Sequence, residues 1–227
     1  MTVPPRRPLG ETTWPEVPER PVLLIPVGST EQHGPHLAIG TDALVAEAVA
    51  TGLAARIDGA IVAPVIEYGA SGEHADFPGT LSIGLDALRT VLVELGRSAT
   101  LWAASVVFVN GHGGNALAVD GATRLLVQES RDVRWVPCAA PGADAHAGRT
   151  ETSLLLHLAP NLVRADRLAA GDTRPVQQLL PELRASGVRA ISPNGVLGDP
   201  AGASAEEGAR ILETMVARAA AMLEGAA

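Results

Sequence analysis

Two short stretches of this 227-residue chain concentrate side chains that can do chemistry. The first is Gly28-Ser-Thr-Glu-Gln-His-Gly-Pro-His36, with Asp42 shortly after it. Glu31 and His33 are two apart, so in extended chain their side chains leave the same face. Asp42 arrives once the chain has turned. Two carboxylates and an imidazole from one loop suit a divalent cation such as Zn²⁺, Mn²⁺ or Fe²⁺. A solvated, capped loop with an ordinary histidine would read the same way. The second stretch, Asn110-Gly-His-Gly-Gly-Asn115, surrounds His112 with glycines. Bare backbone at Gly113 and Gly114 lets a substrate come close to whatever His112 touches. A phosphate cradle is the rival reading, but the dinucleotide and Walker spacings are absent and the turn holds no Lys or Arg.

A third contribution comes from His146-Ala-Gly-Arg-Thr-Glu-Thr-Ser153. Glu151 there falls in the first turn of a helix and can point back toward the other two loops. Glu31, His33, Asp42, His112 and Glu151 then offer five N/O ligands, a number that suits two cations bridged by a carboxylate. His74, in Gly72-Glu-His-Ala-Asp-Phe-Pro-Gly-Thr80, lies on a long loop and reads either as a substrate contact or as loop packing. His157 sits in an apolar helical run and reads as a core or helix-end residue. Cys138 reads as a buried small hydrophobe. Serine-hydrolase and zincin motifs are absent.

For these loops to converge, the elements before them must be parallel strands, whose carboxyl ends share one edge of a sheet. Val22-Leu-Leu-Ile-Pro-Val27 is apolar on both faces, as a central parallel strand is. Pro26 there suggests that the strand stops or reaches an edge. Further strands are expected at 60–65, 105–110 and 133–138. Between them the pattern predicts helices over 42–56, with Thr41 as N-cap, and over 86–103, 115–129 and 150–158. A loop spans 139–147. Pro160, Pro175, Pro181 and Pro193 predict loops and short turns through that region. Ser204-Ala-Glu-Glu207 reads as a capping box opening a last helix to about 224. The alternation predicts one α/β domain over 1–227, a three-layer α/β/α sandwich around a mostly parallel sheet.

Composition narrows the function classes. With 47% hydrophobic and 19% charged residues the chain is globular, and 3% aromatics leave a core of Ala, Val, Leu and Ile. A net charge of −8 argues against nucleic acid or an anionic membrane as partner. The most apolar stretch, 101–109, falls short of the about 20 residues that a membrane span needs. The opening residues, with Pro4, Pro5, Arg6, Arg7 and Glu11, offer no apolar signal-peptide core, so a soluble, cytoplasmic protein is expected. One cysteine excludes an internal disulfide and a thiolate metal cluster.

Taken together the motifs resemble those of the creatininase family, metal-dependent amidohydrolases of α/β/α fold. The resemblance spans nearly the whole chain: Val27-Gly-Ser-Thr-Glu-Gln-His-Gly-Pro-His36 with Thr41-Asp42, Phe77-Pro-Gly-Thr80, Asn110-Gly-His-Gly-Gly-Asn115, His146-Ala-Gly148 with Glu151-Thr-Ser153, and Gly195-Val-Leu-Gly-Asp-Pro200. Within the family, Trp14-Pro-Glu16 and Glu67-Tyr-Gly-Ala-Ser-Gly-Glu-His74 most resemble a branch that trims the modified precursor peptide of a redox cofactor. The resemblance implies that Glu31, Asp42 and His112 hold one divalent ion and His33 a second, with Asp42 bridging. Creatininase itself supplies a glutamate to the second ion at the position of Gly114, so Glu151 is expected to stand in for it. It also stacks tryptophans on its substrate in the region of 139–147. Here the tryptophans are Trp14, Trp102 and Trp135, read as an N-terminal contact, a helix end and a strand residue, which speaks against creatinine. The resemblance thus implies a peptidase releasing a C-terminal Val-Tyr-derived unit. It would carry two ions per chain (zinc or iron, with manganese possible), with His146 and Glu151 in catalysis and His74, Gly113 and Gly114 against the substrate. His146 would face the oxyanion or the leaving amine, or serve structurally. A homo-oligomer, a hexamer by preference, is implied on the same ground. The rival classes are another amidohydrolase, acting on a formamide or cyclic amide, and a metal-free binding module.

Overall fold

The computed structural model describes residues 7–225; Pro4, Pro5 and Arg6 lie outside them. Four strands form one wholly parallel sheet in the order β2-β1-β3-β4: β1 (Val22–Val27), β2 (Ala60–Val62), β3 (Ser105–Asn110) and β4 (Val133–Pro137). Leu24 pairs with Val62 on one side and Val107 on the other, and Phe108 pairs with Trp135. Alternate side chains leave opposite faces, so each apolar strand feeds two cores. Leu23, Ile25, Val106 and Phe108 bury against α2 (Gly84–Ala99) and α3 (Ala116–Gln128) through Leu88, Leu92, Val119 and Leu126. Leu24, Val107, Val109 and Val136 bury against α1 (Thr41–Ala54), α4 (Arg149–Leu158) and α6 (Ala205–Glu224) through Val49, Leu53, Leu154, Leu155 and Val216. Each such side chain contributes about 1.5–3 kcal/mol when fully buried. The α/β/α layering expected from the sequence is therefore present.

Several local expectations need correction. Pro26 sits at neither an edge nor a strand end. Its carbonyl accepts from Ile66 N–H, so its nitrogen faces the β2 side, beyond Leu24, the last β1 residue paired to β2. The missing N–H therefore breaks no ladder bond to β3. β2 ends at Val62 rather than 65, just before Pro64. The first two helices stop at Ala54 and Ala99 rather than 56 and 103. Thr41 is not an N-cap; Gly40 is, and the Thr41 hydroxyl donates to the Ala38 carbonyl at 2.6 Å. Ser204 caps α6 by accepting from Glu207 N–H at 3.2 Å. The reciprocal half of the box is absent, because the Glu207 carboxylate accepts from Arg149 and Ser153 instead.

The largest departure is α5 (Val176–Ile191), in the region read as loops. Pro181 lies on its exposed side, where the carbonyl freed by the missing N–H can bond water. Gly187, at φ 71° and ψ 178°, kinks the helix, and Leu179 and Val188 anchor it to Leu197. Arg189 lies 4.5 Å over the Phe77 ring.

Small residues set how closely the helices of the second layer approach. A Cβ at Gly208 of α6 would lie 1.9 Å from the Ser153 carbonyl oxygen of α4. Backbone cannot yield cheaply to such an overlap. Gly208→Ala is therefore expected to cost about 2 kcal/mol or more by pushing α6 off the helix that carries Glu151. Urea denaturation checks this, and an unchanged midpoint would refute the close approach.

Candidate metal centre

The strand order creates one crevice. From β1 the chain turns through α1, on one face of the sheet, and from β3 through α3, on the other. At such a switch point the two carboxyl-end loops diverge and leave room for a ligand. Glu31, His33 and Asp42 reach it from β1, His112 from β3, and His146 and Glu151 from β4. Glycines let the segments close up. A Cβ at Gly28 would lie 2.5 Å from Ala43 Cα, and one at Gly111 2.5 Å from the Asp42 carbonyl oxygen. Asn115 clamps two loops together: its amide donates to Gly28 O at 2.9 Å, and its oxygen accepts from Ala70 N–H at 2.8 Å. The buried hydroxyls of Ser29 and Ser71 bond each other beside it.

All five sequence-designated ligands meet in this crevice. Asp42 Oδ1 lies 3.2 Å from His33 Nε2 and its Oδ2 3.3 Å from His112 Nδ1. Glu31 Oε2 lies 3.2 Å from His112 Nε2, and Glu151 Oε2 3.8 Å from His33 Nε2. Two groupings able to hold a cation share Asp42: Glu31 with Asp42 and His112, and His33 with Asp42 and Glu151. His33 Nδ1–H donates to the Glu31 carbonyl at 3.1 Å, which turns Nε2 toward Asp42. Both Glu31 carboxylate oxygens and Asp42 Oδ2 are buried without any hydrogen-bond partner. Orphaned carboxylate oxygens are costly unless a cation meets them, so the donor set fits divalent metal.

His146 enters the cluster itself rather than standing on its rim. Its Nε2–H donates to Gln32 O at 2.8 Å, its Nδ1 is 3.7 Å from Glu31 Oε1, and its ring is 4.3 Å from that of His33. With Glu31 and His33 it forms a third possible cation grouping. His74 is buried too: Gln32 Nε2 donates to its Nδ1 at 2.9 Å, and its Nε2 lies 3.3 Å from Glu31 Oε1. His157 is exposed in the last turn of α4, outside the crevice, and Cys138 packs against the second core. Three residues given no role from sequence emerge as part of the site. They are Glu73, whose Oε1 is 3.5 Å from His112 Nε2, the bridging amide of Gln32, and Asn115. Only the adjacency of Glu73 to His74 hinted at the first.

Above the cluster opens a cavity of about 610 Å³. Gly113, Gly114, His112, His146, Glu73 and Glu151 line its floor, and Val176, Leu180, Leu183 and Arg184 of α5 line its wall, with Leu117 opposite. The loop 139–147 reaches the cavity at its end, through Ala145 and His146, where the His146–Leu197 bridge pins it.

The charges are strongly coupled. Burial opposes a positive His33, but Asp42, Glu151 and Glu31 outweigh it and hold the pKa up at about 10. Burial is likewise overcome at His112 by Glu31, Glu73 and Asp42, again to about 10. Burial pushes Glu31 up to about 7 and also raises Glu151. Asp42 and Glu73 are lowered, because His33 and His112 for the first and His112 for the second overcome the burial that opposes them. Burial, reinforced by His112, takes His74 down to about 4; burial, with His33 and His74, takes His146 well below the ordinary value.

An α/β/α frame with carboxylates and imidazoles gathered at its switch point has the donor set of a metal-dependent enzyme, and likeness to known proteins makes that class a hydrolase acting on amide bonds. The family model described as creatinine amidohydrolase matches residues 10–223, and the chain belongs to the creatininase family. A mycofactocin precursor peptide peptidase of Mycobacterium ulcerans (strain Agy99) is 54% identical over 217 residues, 92% of this chain and 87% of the relative. Among solved structures, a Zn-Zn creatininase variant superposes with a TM-score of 0.77 at 30% identity, covering 96% of each chain. A manganese creatininase gives 0.76 at 30% identity, over 96% of this chain and 97% of that one.

The geometry predicts two outcomes. At pH 7 the metal-free chain carries protons on His33 and His112, whose pKa values stand above their unfolded value near 6.5. A bound ion needs neutral imidazole and ionised carboxylate, so binding should release at least two protons, with a further share from Glu31, and affinity should rise with pH. Calorimetry in buffers of different ionisation enthalpy reads this directly, and binding without proton release would contradict it. Glu151→Gln should reduce bound metal toward one ion per chain, and two retained ions would return Glu151 to a supporting role.

Proposed function

We propose that this protein is a divalent-metal peptidase that hydrolyses an amide bond near the C-terminus of the mycofactocin precursor peptide, releasing the modified Val-Tyr-derived unit. One observation supports the hydrolytic site above all: the two oxygens of a single buried carboxylate, Asp42, face two different imidazoles. Glu31, Asp42 and His112 would hold one ion, and His33, Asp42 and Glu151 the other. Zinc, iron and manganese all suit these N/O donors. When bound, such ions supply a Lewis acid for the scissile carbonyl and lower the pKa of water.

The chain's own groups do the rest. His146 would serve the leaving amine. Burial, with His33 and His74, holds its pKa well below the ordinary value. With Nε2–H donated to Gln32 O, its bare Nδ1 would take a proton from the attacking water and pass it to the amine. Bare backbone at Gly113, with open space about it, would give the peptide room beside His112, whereas the space at Gly114 is taken by His112, Ala70 and Glu73. His74, which lines the cavity and contacts Glu31 and Gln32, would stand against the substrate, and Leu117, Leu180 and Leu183 would offer an apolar wall to the released unit.

The reading extends to a homo-oligomer, a hexamer by preference, working in the cytoplasm. Among the described residues no helix is long and apolar enough to cross a membrane.

The test is a competition of substrates. A peptide ending in Val-Tyr should be cleaved, with activity lost to a chelator and restored by Zn²⁺, Fe²⁺ or Mn²⁺. Creatinine, without stacking partners worth about 0.5–1.5 kcal/mol each, should be turned over negligibly. Preference for creatinine or a formamide would overturn the peptidase assignment, and full activity in a verified metal-free sample would overturn the metal mechanism.

A further inference from the structure

The mechanism leaves one acidic group of the crevice without a task. Glu73 sits on a single 3-10 turn, Gly72–His74, in the loop after β2. Its carboxylate oxygen lies 3.5 Å from His112 Nε2, which also meets the Ala70 carbonyl at 3.3 Å and Glu31 Oε2 at 3.2 Å, while the other ring nitrogen of His112 faces Asp42 at 3.3 Å. The slot it occupies exists because two neighbours lack side chains. A Cβ at Gly114 would lie 2.6 Å from Glu73 Oε1 and 2.4 Å from His112 Nε2. A Cβ at Gly187, where α5 kinks, would lie 3.0 Å from the Glu73 carbonyl oxygen. Gly114 has no positive φ, so close packing, not backbone strain, is what keeps it bare. The Glu73 side chain retains 30% exposure to the cavity, against 0% for Glu31.

We propose that Glu73 is a positioning residue for the metal centre: its carboxylate braces His112 across the slot left open by Gly114 and Gly187. The inference rests on the two-ion reading. Two divalent ions bring four positive charges, and Glu31, Asp42 and Glu151 supply three negative ones. In a buried site the remaining charge is costly, and Glu73 is the carboxylate placed to balance it. Hydrogen-bonding groups behind a ligating histidine orient the ring and raise its basicity, and their loss lowers metal affinity about 10–100-fold.

The test titrates metal-stripped protein with Zn²⁺ against a chromophoric chelator. Glu73→Ala should weaken one of the two ions by roughly 10–100-fold and leave the other unchanged. Glu73→Gln, which keeps an acceptor and loses the charge, should fall between Ala and wild type, and it carries the test if the alanine variant does not fold. In a His112→Ala background, Glu73→Ala should add nothing further. Unchanged affinity in both Glu73 variants overturns the proposal. So does an equal loss with and without His112, since Glu73 would then act elsewhere. A wild-type chain that takes up no Zn²⁺ refutes the metal reading itself, and this inference with it.

Discussion

Burying Glu31 and Asp42 is the constraint on which the rest of this structure turns. Carboxylate oxygens sealed from water without donors destabilise a fold unless positive charge reaches them. Without metal the protein answers with protonated imidazoles, His33 and His112, held far above their usual pKa by those same carboxylates. The neighbouring histidines, His74 and His146, are kept neutral by burial and by the charge next to them. One pocket thus holds two charged and two neutral imidazoles, and the division between them depends on which rings face Asp42.

The frame makes that burial possible in space rather than cheap in energy. Only a switch point lets loops from β1 and β3 diverge and still share a floor. Bare backbone at Gly28 and Gly111 brings Asp42 against both, and Asn115 fastens the loop after β1 to the loop after β2. The wall is of a different kind. α5 presents Leu180 and Leu183 to the cavity, whereas Trp102 and Trp135 lie outside its lining. The floor is polar and charged, and the α5 wall is largely apolar.

Much of this is legible in the residues. β1 and β3 have the bounds that their β-branched runs predict, because buried parallel strands show their nature in composition alone. The five candidate ligands are legible because each follows a strand or opens a helix. What cannot be read depends on partners distant in sequence. α5 hides behind Pro175 and Pro181, since an exposed proline costs a helix only one solvated carbonyl and the anchoring contact is to Leu197. Glu73 has the look of loop because nothing local says that a glycine 41 positions later, Gly114, will leave it room. The half-formed cap of α6 has the same origin: Arg149 and Ser153 compete for Glu207.

The Asn115 clamp carries a consequence for biosynthesis. It joins residues 45 and 87 positions apart, and β3 must insert beside β1 after β2 has already been made. A nascent chain ending before residue 110 therefore displays Glu31, His33 and Asp42 with neither the clamp nor His112 to organise them. Three donors on an untethered loop would hold a cation only loosely. The residue that completes each candidate grouping, His112 for one and Glu151 for the other, is made late, so the full donor set is assembled only once most of the sheet is present.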